Sequence, residues 1–144
     1  MENCIIRELN KQDFYNGFLD LINYFTKNIT PITFEQFSEQ YDKTMLQNCN
    51  IIVIEYNNKI IGTAKLLIEY KFHNNFKNIG HVEDVVIDEK YRNKGLGKRL
   101  NNQLLEIAKS KNCYKVVLNC STNIINFYSK CGFNIKGAEM CYYL

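Results

Sequence analysis

The chain has no apolar run long enough to cross a bilayer. A spanning helix needs about 20 such residues, whereas the longest stretches here are of the order of Ile51 to Ile54. No membrane partner is expected. Metal-ligand spacing is also missing. There are only two histidines, His73 and His81, and the six cysteines (Cys4, Cys49, Cys113, Cys120, Cys131 and Cys141) lie scattered without close pairs, so no metal site is expected. Such thiols read as free cysteines in a reducing cytoplasm. The sequence lacks a dominant charge, because a net +3 is far from the concentrated base of a nucleic-acid-binding surface; it suits a cleft needing a few local cations. Met1-Glu2-Asn3-Cys4 carries acid where a secretion signal carries base. Neither a linker, a low-complexity segment nor an internal repeat interrupts residues 1–144, which read as a single domain. The 46% hydrophobic content is enough for a genuine core, and a chain of this size buries roughly two-thirds of its unfolded surface.

The first half opens with a strand at Cys4–Glu8. Asn10 can cap a helix with Asp13 in its first turn, and Phe14, Phe18, Leu21, Ile22 and Phe25 make an apolar stripe. Pro31 interrupts that path, after which Thr33 and Gln36 have capping-box spacing for a second helix. Its inward side is Phe34, Phe37, Tyr41 and Met45. Strands follow at Ile51–Tyr56, Ile60–Tyr70 and Ile79–Ile87, the first two joined by the turn Asn57-Asn58-Lys59. Gly95–Lys109 has helical spacing in Leu96, Leu100, Leu104 and Ile107. A strand at Tyr114–Leu118, a short helix at Asn123–Lys130 and a last strand at Phe133–Tyr142 complete the order β-α-α-β-β-β-α-β-α-β. That order predicts an α/β (α+β) fold with one mixed central sheet and helices on both faces.

Asp88 to Leu100 is the stretch richest in chemistry. It leaves a strand and opens a helix, and Gly95 and Gly97 remove side chains where a ligand could approach the backbone. Amides at a helix start favour an anion, and Arg92, Lys94, Lys98 and Arg99 place positive charge nearby. The stretch fails as a Walker loop, because Gly97-Lys98 is followed by Arg99, and two glycines fall short of a dinucleotide fingerprint. Locally, a glycine turn with a solvated basic face remains the other reading. Glu83 and Asp84 stand out as adjacent acids in an apolar strand. An ideal strand turns them to opposite faces, while a bulge brings both to one cleft.

Arg92-x-x-Gly95-x-Gly97 after a strand resembles the acetyl-CoA loop of the GNAT superfamily of N-acetyltransferases. Gly80 to Asp88, Asn112 to Leu118 and Phe127-Tyr128-Ser129-Lys130-Cys131-Gly132-Phe133 narrow the likeness to its glucosamine 6-phosphate N-acetyltransferase family, strongly from Gly80 to Phe133 and weakly over the first 50 residues. The resemblance implies the acyl-CoA N-acyltransferase fold, with the fourth and fifth strands splayed around the pantetheine arm. It implies acetyl-CoA as cosubstrate, an amino-sugar phosphate as acceptor, and a homodimer with shared active sites whose interface strand would be the tail Met140–Leu144. Carried over by position, cofactor contacts fall on Val85, Val86, Ile87, Arg92, Asn93, Lys94, Gly95, Leu96, Gly97, Lys98, Tyr128 and Lys130. Asn123 lies one residue from the matching place.

Substrate contacts fall on Thr26, Lys71, Phe72, His73, Asn74, Glu83, Asp84, Val85, Asn119 and Tyr143. Tyr128 is implied as the general acid for the leaving thiol. The family commonly has an acid where this chain has Asn119, which cannot take up a proton, so Glu83 becomes the expected base, with Asn119 orienting the amine. A family arginine is replaced by Tyr143, which leaves Lys71 and His73 as cations for the phosphate. Another amine acceptor, or an acyl-CoA-binding module without turnover, are the competing functions.

Overall fold

The computed structural model describes residues 3–25 and 30–144; Thr26 lies outside them. Five strands form one sheet in the order β1 (Ile5–Glu8), β2 (Cys49–Tyr56), β3 (Lys59–Glu69), β4 (Asn78–Ile87) and β5 (Cys113–Leu118). The first four are antiparallel neighbours, and β5 runs parallel to β4. A parallel pair needs a crossover, supplied by α3 (Leu96–Ser110).

Alternation along the strands builds two cores. Ile52, Ile54, Ala64, Leu66 and Val82 meet Leu96, Leu100, Leu104 and Ala108 of α3. Each leucine of this kind removed from water is worth about 1.5–3 kcal/mol. On the other face Val53, Ile60 and Val86 pack with Leu9, Phe18, Leu21 and Phe37. Phe18 and Leu21 come from α1 (Phe18–Ile22), and Phe37 from α2 (Phe34–Met45). The reciprocal Thr33–Gln36 capping box starts α2 as its sequence spacing predicts.

The expected long first helix is instead broken. A 3-10 turn at Lys11–Phe14, capped by Asn10, is followed by Gly17 at φ 84°, then α1 and a second 3-10 turn, Asn23–Phe25. The left-handed glycine separates the two helical pieces, and Asp13 in the first of them is fully buried. There Arg7 Nη2 and Nη1 donate to Asp13 Oδ1 and Oδ2 at 2.6 and 2.8 Å, the Asn10 amide donates at 2.9 Å, and Arg7 Nε donates to Glu55 at 2.7 Å. Burial pushes the Asp13 carboxyl up, but the Arg7 and Asn10 bonds and the Arg7 charge outweigh it and hold it below its ordinary value.

The expected strand at Phe133–Tyr142 is not formed. After α4 (Ile125–Lys130) and a left-handed Gly132, the tail makes no ladder. Ile135, Met140, Tyr142, Tyr143 and Leu144 stay exposed, because within one chain the alternating apolar residues find neither a strand partner nor a surface to bury against.

Candidate active site

The sheet opens where β4 bends. Lys65 pairs with Glu83 and Thr63 with Val86, so Asp84 and Val85 together face Ala64 across the ladder. Asp84 takes φ 52° to make this bulge. On the opposite side, pairing of β4 with β5 ends at Val82↔Leu118. From Glu83 to Ile87 the backbone therefore has a free edge towards β5, able to receive an extended ligand as an added strand would be received. The bulge also brings Glu83 and Asp84 to one cleft of about 270 Å³, with His81 and Asn119.

The helix mouth lies just beyond that edge. A 3-10 turn at Glu89–Tyr91 leads through Asn93, at φ 60°, to Gly95 at φ 77°. The first helical bond of α3 runs from the Arg99 amide to Gly95 O at 3.1 Å. The amides of Leu96, Gly97 and Lys98 consequently have no acceptor within the helix, and no side chain caps them. A Cβ added to Gly95 would meet nothing within 4 Å, which leaves space for an anion. One added to Gly97 would come within 3.0 Å of Phe127 Cζ, so the close seating of α4 leaves a side chain here only the room the ring can give up. Arg92 lies over the Tyr24 ring at 5.1 Å and Lys94 over Tyr91 at 5.5 Å, while Lys98 belongs to the first turn itself. Arg99 does not join them. Its guanidinium turns to Cys4 O at 3.3 Å, at the start of the chain. Lys130 is exposed at the last position of α4, and Asn123 is bonded by the Ser121 hydroxyl in the 3-10 turn before it.

Tyr128 of α4 is only 8% exposed and packs edge-on against Phe127 and Phe133, at 4.9 and 5.9 Å between centroids. Burial pushes its phenol above its ordinary value, and the nearby Cys120 and Cys131 thiols add to the rise. The hydroxyl therefore keeps its proton at neutral pH, as an acid must. It lines a second, larger cleft of about 430 Å³ between the end of β5, α4 and the tail. Asn119 lines both clefts.

The acceptor-side residues are not all gathered. Lys71 is ion-paired with Glu69, which also bonds His81 Nε2 at 2.9 Å, so its charge is answered locally. His73 stands edge-on to Tyr114 at 6.4 Å; Phe72 is 94% exposed, and Asn74 takes a left-handed turn beside it. Tyr143 is 89% exposed on the unpaired tail and meets neither cleft. Two contacts lie outside the sequence expectations. Lys65 reaches Glu83 at 3.6 Å, and Asn119 Nδ2 donates to Glu139 Oε1 at 2.9 Å. Strand alternation could have put Lys65 and Glu83 on one face had the bulge been placed; no periodicity announces Glu139.

A splayed strand pair beside an open helix mouth, with a buried phenol alongside, can seat a thioester whose phosphates rest on backbone amides. Known proteins resemble the chain over nearly its whole length. Residues 7–133 match the model of the acetyltransferase (GNAT) family. The chain is 37% identical over 142 residues to glucosamine 6-phosphate N-acetyltransferase 1 of Dictyostelium discoideum, covering 96% of this chain and 89% of that one. The crystal structure of glucosamine-6-phosphate N-acetyltransferase from Arabidopsis thaliana superposes with a TM-score of 0.91 at 36% identity, covering 98% of each chain. An acetyltransferase of Trypanosoma brucei superposes at 0.93 with 33% identity, over 99% of this chain and 100% of that one.

Proposed function

We propose, for a chain that belongs to the acetyltransferase (GNAT) family, that it transfers the acetyl group of acetyl-CoA to the amine of glucosamine 6-phosphate. The products are N-acetylglucosamine 6-phosphate and CoA, a step towards UDP-N-acetylglucosamine. The observation that carries the reading is the parting of β4 from β5 after Val82, next to a helix start whose amides are unanswered. Acetyl-CoA supplies an activated acetyl group. The first-turn amides of α3 take its pyrophosphate, with Arg92, Lys94 and Lys98 adding charge. The free edge of Val85, Val86 and Ile87 takes the pantetheine arm, and an amide there meets the thioester oxygen as negative charge develops on it. Holding donor and acceptor in line removes much of the barrier, because alignment of two reactants is worth up to about 7–11 kcal/mol.

Tyr128 gives its proton to the departing sulfur. Glu83 and Asp84 grip the ammonium and hydroxyls of the sugar. Its phosphate needs positive charge that Lys71, paired with Glu69, supplies only in part. A homodimer would bring a second chain's groups to that end, and the exposed apolar tail, Met140 and Tyr142–Leu144, supports such an assembly. Thiol release from acetyl-CoA is the direct assay, with glucosamine 6-phosphate, unphosphorylated glucosamine and a peptide amine as parallel acceptors. Turnover should be strongest with the sugar phosphate. A faster peptide reaction would reassign the acceptor, and no release with any amine at high enzyme concentration would reject transfer in favour of acyl-CoA binding alone.

A further inference from the structure

An ammonium must lose a proton before its nitrogen can attack a thioester. Asn119, at the end of β5, cannot accept one. It holds a carboxylate instead, since its Nδ2 donates to Glu139 Oε1 at 2.9 Å. That bond draws the tail across the cleft lined by Tyr128, and among the described residues Glu139 is the one carboxylate in the lining. Glu83 lines the neighbouring cleft and faces the Lys65 ammonium at 3.6 Å, whereas Glu139 meets a neutral amide there. Asn119 belongs to both clefts, so the pair stands where an amine gripped by Glu83 and Asp84 would come beside the phenol that serves the sulfur. We infer that Glu139 is the general base of the transfer and that Asn119 is its positioning residue.

The inference rests on the transfer reading above and completes its proton balance. Glu139 takes one proton from the ammonium. The freed lone pair forms the N–C bond to the acetyl carbon, the C–S bond breaks with its electron pair on sulfur, and Tyr128 protonates that thiolate. The surplus proton on the new amide nitrogen returns through water to the Tyr128 phenolate, and Glu139 passes its own to solvent. One proton is released per acetyl group transferred.

The pair itself provides the test. Glu139→Gln keeps an oxygen for Asn119 to bond but cannot take a proton, so kcat should fall by about 10²–10⁴ while KM for acetyl-CoA stays unchanged. The double variant Asn119→Asp with Glu139→Gln exchanges the two groups, returning a carboxylate to the same spot with an amide to hold it. It should recover at least about tenfold of the lost kcat, a fraction of the general-base contribution. A contact that only fastened the tail would survive in Glu139→Gln, which would then turn over like wild type and overturn the inference while leaving the reaction intact. A double variant no faster than Glu139→Gln overturns it equally, and a wild-type chain inert towards every amine would overturn both readings.

Discussion

Replacing Gly97 by alanine should separate the two jobs of the helix mouth. The new Cβ would lie 3.0 Å from Phe127 Cζ, 3.5 Å from Cε2 and 4.0 Å from Ile87 Cγ1. Carbon atoms at rest are about 3.5–4.0 Å apart, so the ring has to withdraw by roughly half an ångström. It can do so, being 38% exposed, but it packs against Tyr128 at 4.9 Å between centroids. The displacement is therefore passed to the acid. A misplacement of 1 Å at a reacting group costs about 10²-fold, so half that distance should cost about tenfold in kcat. Stability should hardly change. Alanine gains at most about 1 kcal/mol of helix propensity, and overpacking of about 1 kcal/mol opposes it. At 2–4 °C per kcal/mol, Tm should stay within about 4 °C of wild type.

Steady-state kinetics alongside thermal unfolding read both quantities. Because the added methyl points at Phe127 rather than into open space, KM for acetyl-CoA should move less than kcat. Trimming the ring with Phe127→Leu in the same chain should return most of the lost turnover. Wild-type kcat for Gly97→Ala, or no recovery in the double variant, would refute the mechanical link between the mouth and Tyr128.

Gly95→Ala has the opposite signature: its Cβ enters the space left for the anion at a φ of 77°, so KM for acetyl-CoA should rise severalfold, with about 1–2 kcal/mol of backbone strain visible in urea unfolding. Tyr128→Phe should lower kcat by about 10²-fold or more and leave CoA affinity, measured by calorimetry, within twofold by the same reasoning; equal turnover would remove the phenol from the chemistry. Asp13→Asn should cost about 2–4 kcal/mol at pH 7, less than a wholly orphaned buried charge because Arg7 keeps Glu55. Since the Asp13 carboxyl is held below its ordinary value, its stabilisation is present above about pH 4 and is lost as pH falls through the folded value. Urea midpoints across pH 2–7 should therefore converge for variant and wild type at the acid end, and parallel curves would contradict the linkage.

Local chemistry was the part legible in the sequence. Gly95 and Gly97 announce a mouth because their requirement is a property of their own backbone and immediate neighbours. Leu96, Leu100 and Leu104 betray α3 by spacing alone, and Thr33 with Gln36 fixes the start of α2. Gly17 was open to a better reading, since a glycine within an apolar stripe can end a helix as well as weaken one. The tail misled because Phe133 to Tyr142 has strand composition, whereas a strand also needs a neighbour, which no composition reports. Asp84 could be suspected of a bulge only from its adjacency to Glu83 in an apolar strand and from family resemblance, since nothing in aspartate itself demands φ 52°. The Asn119–Glu139 contact joins residues 20 apart through tertiary geometry, and the burial that raises the Tyr128 phenol depends on where α4 comes to rest.

Every strand of the sheet lies beside the one made just before it. A ribosome would thus release the pieces in the order the ladder can accept them, and the hairpins β2–β3 and β3–β4 close over short spans before α3 and β5 emerge. Assembly of the donor groove comes last and rests on the parallel pairing of β4 with β5, which stops at Val82↔Leu118. Native-state amide exchange should accordingly be slowest in β2 and β3 and faster in the edge strand β5, with saturating CoA slowing β5 most. Such a protein would wear out from its working end first, and its own donor would be the ligand that preserves it.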